Sequence, residues 1–196
     1  MDVTVLIRCY NHERYLYDCV RRLRNQKYVI LDDYPPSGKR ERLNIAIQNI
    51  DTEWIAFNDA DDMSMEYRFE LESFLRDTDL IYTDYYTMSK KAFGYCKSRH
   101  FDKELLKKEN YIPFSTIVVK TEIAKRVPFE VDVNGNGEDW IWLNDVAKIT
   151  DRFYYIPKPT MIYRNFNLPY GNIPIYGKIK RILYKRKVRK VINART

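Results

Sequence analysis

Three short apolar runs, separated by segments of helical periodicity, constrain the fold of this chain most strongly. The runs cover residues 3–7, 28–31 and 54–57, and their β-branched and aromatic side chains are typical of buried strands. Apolar residues recur at helical spacing from Tyr15 to Leu23 and again over residues 39–50. Strands that alternate with helices form right-handed βαβ units, so the order predicts a parallel sheet.

The rest of the chain extends this pattern. Residues 63–76 and 138–146 are predicted to be helical, and residues 80–86, 115–119 and 153–156 to be strands. The fold class is therefore α/β: one domain over residues 1–169, with a mainly parallel central sheet that has an antiparallel end. Helices on both faces of the sheet would make an α/β/α sandwich.

Charge divides the chain into two parts. The net charge is +7, but residues 152–196 hold twelve Lys or Arg and no Asp or Glu, which leaves 22 basic against 27 acidic residues and −5 for the rest. Residues 170–196 are therefore predicted to be a basic tail, and residues 176–192 mix cations with apolar side chains as an amphipathic helix does. Peripheral contact with an anionic membrane is one hypothesis, and a solvated or disordered tail is the alternative. No specific nucleic-acid partner is expected.

Composition and cysteines indicate the class of protein. Hydrophobic residues make up 45% of the 196 residues and charged residues 31%, which are globular values. The three cysteines are widely spaced and lack a C-x-x-C pair, so reduced thiols are expected rather than a disulfide framework or a zinc site. No signal peptide or membrane span is predicted, and we expect a cytoplasmic protein, with contact to the inner face of the membrane as a variant.

Carboxylates follow two of the predicted strands at the point where each strand ends. Asp32 and Asp33 close the second strand, whereas Asp59, Asp61 and Asp62 follow the third. Ligands of open α/β sheets bind outside the carboxyl ends of the strands. Mg²⁺ binds one or two carboxylates together with substrate phosphates, so the two clusters predict a nucleotide and metal site. The alternative is a solvated turn whose aspartates cap the next helix.

The order of these motifs resembles that of family 2 glycosyltransferases with the GT-A fold. The matching segments run through residues 3–165 in the family's order: TVLIRCYN at 4–11, LDD at 31–33, EWIAFNDADD at 53–62, GEDW at 137–140, YIPKP at 155–159 and YR at 163–164. The resemblance implies an inverting transferase that moves a sugar from a UDP-sugar or GDP-sugar to a glycan, lipid or protein acceptor. It also implies a Mn²⁺ or Mg²⁺ cofactor, bound by the D-x-D motif.

The resemblance assigns roles to individual residues. Asp61 is the expected metal ligand, and Asp59 contacts the ribose or assists the metal. Asp139 is the general base that takes the proton of the acceptor hydroxyl. The remaining donor-binding residues are Arg8, Tyr10, Asp32, Asp33, Lys39, Arg42, Glu138 and Arg164.

Three alternatives stay open at this point. Lys39 and Arg42 fit a solvated helix face as well as a phosphate site. Glu138 and Asp139 are equally suited to cap their helix, with Asp145 or Asp151 as the base. The chain as a whole also fits an inactive GT-A-like binding module that acts through its basic tail, or another metal-dependent nucleotidyltransferase.

Overall fold

Eight strands and six α-helices make up the described part of the chain. The computed structural model describes residues 1–9, 11–32, 38–130, 137–164 and 175–195, with the backbone alone for 175–182. The strands are β1 (Val3–Cys9), β2 (Lys27–Asp32), β3 (Trp54–Asp59), β4 (Met63–Ser64), β5 (Leu80–Met88), β6 (Phe93–Cys96), β7 (Val118–Lys120) and β8 (Phe153–Arg164). The helices are α1 (Glu13–Arg21), α2 (Lys39–Gln48), α3 (Lys103–Lys108), α4 (Thr121–Arg126), α5 (Glu138–Ile149) and α6 (Ile175–Ala194).

The strands form one mainly parallel sheet in the order β2-β1-β3-β7-β5-β8-β4, with β6 paired to β5. Strands β2, β1, β3, β5 and β8 run in one direction, and the predicted βαβ units at the N-terminus are confirmed. Strand β7 is antiparallel to both of its neighbours, β3 and β5. An antiparallel strand therefore lies inside the sheet, whereas the sequence predicted antiparallel pairing only at its end.

Both faces of the sheet are buried, as the predicted three-layer architecture requires. Successive side chains of a strand point to opposite faces. Leu6 and Phe57 belong to one core, which includes Trp142 of α5, whereas Ile7 and Ala56 belong to a second core beneath α1. This double burial explains why β1 and β3 read as continuous apolar runs.

The helix predicted over residues 63–76 is wrong. Met63 and Ser64 form β4, which pairs with Met161 and Ile162 of β8, and only the 3-10 helix Glu72–Phe74 follows. The backbone N–H of Met65 also donates to Thr160 O (2.8 Å). Tertiary pairing overrides helix propensity here, because the sheet offers this segment an edge strand to bond with.

The strand predicted over residues 115–119 begins later than expected. Phe114–Thr116 is a 3-10 helix, in which the Thr116 backbone N–H and side-chain Oγ1 both donate to Pro113 O (3.0 and 2.8 Å). Strand β7 starts only at Val118. This local hydrogen bonding competes with the sheet for the same backbone groups.

Helix α6 packs against the domain. Val188 and Ile192 are 0% and 1% exposed and belong to the same core as α5. Two apolar residues of the amphipathic helix predicted over residues 176–192 are thus covered by protein and not available to lipid. The boundary predicted at residue 170 stays a prediction. None of the described helices is long and apolar enough to span a bilayer.

Candidate active site

Arg8 joins three of the predicted donor-binding residues into one ionic network. Arg8 and Asp59 lie opposite each other where β1 and β3 end. Arg8 Nε and Nη2 lie 2.8 and 2.7 Å from Asp59 Oδ1, and Nη1 lies 3.3 Å from Glu138 Oε1. Lys39 Nζ donates to the same Glu138 oxygen (2.9 Å). Burial alone would lower the pKa of Arg8, but the charges of Asp59 and Glu138 outweigh it and raise the pKa above its ordinary value.

Asp62, to which the sequence analysis gave no role, is the most deeply buried acid of this turn. It is 0% exposed, and its carboxylate accepts hydrogen bonds from Ser115 Oγ (2.6 Å) and the backbone N–H of Arg164 (3.2 Å). Burial, together with the neighbouring charge of Asp59, raises the pKa of Asp62 well above its ordinary value. The turn after β3 therefore concentrates negative charge in a desolvated place, where a cation would be stabilised.

A buried arginine fixes the backbone just before this turn. Arg68 is 1% exposed; its Nη1 donates to Asn58 Oδ1 (2.6 Å) and Ser64 Oγ (2.9 Å), and its Nη2 donates to Phe57 O (2.8 Å). Burial lowers the pKa of Arg68 to about 10. Arg68 was not singled out from the sequence, since no sequence pattern indicates its contacts with Asn58, Ser64 and Phe57.

Asp61 lies beside His12 of the segment that follows β1. Its side chain is 21% exposed, and Oδ1 is 3.4 Å from His12 Nδ1. Burial raises the pKa of Asp61, although His12 opposes the shift.

Arg164 is 7% exposed; its Nη2 lies 3.3 Å from Asp18 Oδ2, and its guanidinium lies 4.9 Å from the Tyr15 ring centroid. Arg164 therefore sits behind the acidic turn.

One cavity of about 370 Å³ brings Arg8, Asp59 and Asp62 together with Asp139. Asp139 is in the first turn of α5, half-buried, and Asn110 Nδ2 donates to its Oδ2 (3.2 Å). Burial and the charge of Glu138 raise the pKa of Asp139 above its ordinary value. Asn110 lies 29 residues away in sequence, and no sequence pattern indicated it.

The two alternative bases lie elsewhere. Asp145 is bound to Arg195 (Oδ2 to Nη2, 2.9 Å) and to Lys148, and Asp151 is exposed beyond the end of α5. Neither lines the cavity. Of the sequence candidates for the base, only Asp139 shares a cavity with the acidic turn.

The other predicted donor-binding residues are more dispersed. Asp32 is exposed at the end of β2, opposite Cys9 of β1. Arg42 is half-buried in α2 and does not line the main cavity. Tyr10 and Asp33 lie outside the described residues, so their predicted role in donor binding stays a prediction.

Helix α6 reaches the corner that carries Glu138 and Asp139. Gly137 precedes α5 with φ +79°, and a Cβ on Gly137 would lie 2.5 Å from Tyr184 Oη and 3.0 Å from Val188 Cγ2. Burial and the charges of Asp139 and Glu138 raise the pKa of Tyr184 to about 12. Helix α6 thus packs against the residue that precedes Glu138 and Asp139.

The carboxylates suit a cation that is held partly by its substrate. Among the described residues, no three His, Cys, Asp or Glu side chains converge as a closed metal site would require. Asp59 is the last residue of β3 and Asp61 follows it in the turn. A pair of carboxylates fits Mg²⁺ or Mn²⁺, which complete their coordination with phosphate oxygens and water.

Comparison with solved structures identifies the fold. Staphylococcus aureus TarS in complex with UDP-GlcNAc superimposes with a TM-score of 0.65 at 13% identity, covering 96% of this chain and 65% of that one. The fold is that of GT-A glycosyltransferases. The mannosyltransferase PcManGT from Pyrobaculum calidifontis, in complex with GDP-Man and Mn²⁺, gives a TM-score of 0.57 at 15% identity, covering 100% of this chain and 64% of that chain.

Another similar structure is comparable in size to this GT-A domain. A197 from STIV gives a TM-score of 0.52 at 17% identity, covering 89% of this chain and 98% of that one. By contrast, the chain spans 37 to 65% of the length of the TarS structures it matches. The sequence matches no protein-family model, and a search of curated proteins finds no relative.

Proposed function

We propose that this protein is an inverting glycosyltransferase that uses a nucleoside-diphosphate sugar. The observation that carries the proposal is the 370 Å³ cavity, which joins Arg8 near the end of β1 and Asp59 at the end of β3 to Asp139. GT-A-fold structures of similar topology contain UDP-GlcNAc or GDP-Man, which supports a UDP-sugar or GDP-sugar as the donor. The acceptor would be a hydroxyl group of a glycan, lipid or protein.

Asp61, assisted by Asp59, would hold a divalent cation. Asp61 is the better candidate, because Oδ1 of Asp59 is already bound to Arg8. Mn²⁺ is present in two of the similar structures, PcManGT and the glucosyl-3-phosphoglycerate synthase of Mycobacterium tuberculosis (TM-score 0.58, 12% identity, 95% of this chain and 75% of that one), which supports Mn²⁺ or Mg²⁺. Such a cation acts as a Lewis acid that stabilises the leaving diphosphate.

The ionic network would position the donor. Arg8 holds Asp59 and Glu138 in place, so Asp59 is oriented towards the cavity before any ligand arrives. Lys39, in the first turn of α2, donates a hydrogen bond to Glu138 of α5. Arg42 lies on the same helix as Lys39. Preorganised charges of this kind lower the cost of binding a charged donor.

Asp139 would act as the base. The acceptor oxygen forms a bond to the anomeric carbon while the bond from that carbon to the diphosphate breaks, and the hydroxyl proton passes to the Asp139 carboxylate. Attack opposite the leaving group inverts the anomeric configuration. Asn110 orients the carboxylate through its hydrogen bond to Oδ2.

The decisive experiment compares Asp139→Asn with Asp151→Asn. Turnover of UDP- and GDP-sugars with Mn²⁺ is measured by nucleotide release, and donor affinity by calorimetry. Asp139→Asn should keep donor affinity and lower transfer about 10²-fold or more, whereas Asp151→Asn should behave as wild type. Near-normal transfer by Asp139→Asn would exclude this base. Donor binding without turnover by the wild type would favour a binding module, and pyrophosphate release from nucleotides would favour a nucleotidyltransferase.

The outer face of α6 supports contact with an anionic membrane. Leu183, Arg186, Lys187 and Lys190 are exposed and share one face at helical spacing. Within the described residues, none of the three cations has a carboxylate within ion-pair distance. Unpaired cations around an exposed leucine suit a helix lying on anionic lipid, where a lipid-linked acceptor would be found.

A further inference from the structure

Two cations line the cavity without any role in the proposed donor site. Lys97 and Arg99 belong to the segment between β6 and α3, and both contribute to the cavity wall. Their side chains are exposed, but the backbone beneath them is fixed. The Ser98 backbone N–H donates to Asp84 Oδ1 (2.7 Å), and Tyr82 Oη donates to Arg99 O (2.6 Å). The segment that carries the pair is therefore anchored to β5 by two hydrogen bonds.

The charge of this wall is largely uncompensated. Within the described residues, Lys97 has no carboxylate within ion-pair distance. Arg99 is paired only with Glu109 (3.3 Å), and both side chains are about half exposed, so water screens that pair. By contrast, Arg8, on the opposite side of the cavity, is neutralised by Asp59 and Glu138.

The cations lie on the acceptor side of the proposed site. Glu109, the partner of Arg99, directly precedes Asn110, which donates to Asp139. Lys97 lies beside the middle of β5, because the preceding residue, Cys96, pairs with Tyr85 of that strand. Strand β7 separates β5 from β3, and two strand spacings amount to about 10 Å. The wall is thus linked to Asp139 through Glu109 and Asn110, whereas β7 lies between the strand that anchors it and β3, which carries Asp59.

We propose that the acceptor carries an anionic group, a phosphate or a carboxylate, that binds Lys97 and Arg99. This inference rests on the proposed transferase function. A guanidinium and an ammonium converging on one anion give charge-assisted hydrogen bonds, which are the strong ones. Held there, the acceptor presents a hydroxyl towards Asp139.

Matched acceptors test the proposal. Glucose, glucose 6-phosphate and glucuronate are compared, and so are glycerol and glycerol 3-phosphate, with each UDP- or GDP-sugar that the wild type turns over. The phosphate or carboxylate members should have at least tenfold higher kcat/KM than their neutral partners. Comparing glucose 6-phosphate with glucuronate distinguishes the two anions, because the first carries a phosphate and the second a carboxylate on the same kind of ring.

Two double variants locate the effect. Lys97→Gln/Arg99→Gln should raise KM for the anionic acceptor about tenfold or more, the scale expected for losing hydrogen bonds to a charged group. It should leave donor affinity and donor hydrolysis unchanged. Lys90→Gln/Lys91→Gln removes the same charge from the exposed tip between β5 and β6. This control should change neither the KM for the anionic acceptor nor the donor affinity.

Several results would overturn the inference. The first two are a preference of the wild type for the neutral acceptors and no transfer to any of the acceptors. The third is that the Lys97→Gln/Arg99→Gln variant loses as much kcat/KM with neutral acceptors as with anionic ones. The fourth is the same rise in KM in the Lys90→Gln/Lys91→Gln control. If donor hydrolysis persists in these cases, the transferase function survives and only the acceptor assignment fails. If the wild type neither binds nor hydrolyses a sugar nucleotide, the function itself fails.

Discussion

Replacing Gly137 with alanine should both destabilise the protein and disturb the proposed base. Gly137 has φ +79°, a conformation that costs a residue with a Cβ roughly 1–2 kcal/mol. The new Cβ would also lie 2.5 Å from Tyr184 Oη, well inside van der Waals contact. Relief of such a clash by shifting packed groups costs roughly 1–3 kcal/mol. Together, Gly137→Ala should lower the free energy of unfolding by about 2–5 kcal/mol.

The two contributions can be separated with Tyr184. Tyr184→Ala removes the ring, so Gly137→Ala made in that background should cost only the backbone strain and the smaller adjustment at Val188 Cγ2, 3.0 Å from the new Cβ. Urea denaturation of the four proteins gives the coupling, which we expect to be about 1–3 kcal/mol. Gly94→Ala is the control: its Cβ would lie 3.2 Å from Thr87 Oγ1 and Gly94 has no positive φ, so the loss should be smaller.

The result that would refute this reasoning is additivity. If Gly137→Ala costs the same with and without the Tyr184 ring, α6 does not pack against this corner in solution. A real coupling should also appear in the rate of transfer, because Glu138 and Asp139 follow Gly137 directly. The experiment thus tests whether α6 packs as part of the GT-A-like domain.

The remaining predictions concern metal, pH and lipid. Asp61→Asn should sharply weaken Mn²⁺-dependent donor binding measured by calorimetry; unchanged metal dependence would contradict the assignment. Transfer should fall as the pH drops through the raised pKa of Asp139, since a base must be deprotonated, so the acid limb of the pH–rate profile should lie above about 3.9, the ordinary value for Asp. Replacing Arg186, Lys187 and Lys190 with Gln should weaken co-sedimentation with anionic vesicles about 10²-fold, at about 1 kcal/mol per cation; equal pelleting with neutral vesicles would exclude the electrostatic contact.

The positions of strands and their acidic ends were predictable from local pattern. The apolar runs of β1 and β3 are buried on both faces, and parallel strands place their carboxyl ends at one edge of the sheet. The proximity of Arg8 to Asp59 follows from that geometry, since both lie at strand ends. Residues 63–76 show the limit of local pattern, because their helical periodicity was overruled by pairing between β4 and β8.

The sequence by itself determined the first three strands, the helices between them and the edge of the sheet that carries the acids, because burial periodicity and strand direction are local properties of the chain. Only the tertiary structure decided which groups meet across that edge. The hydrogen bond from Asn110 to Asp139, the support of the acidic turn by Arg68, and the contact of Tyr184 with Gly137 all join distant segments. Such contacts are set by how helices pack on the sheet, and packing depends on shapes that no single segment encodes.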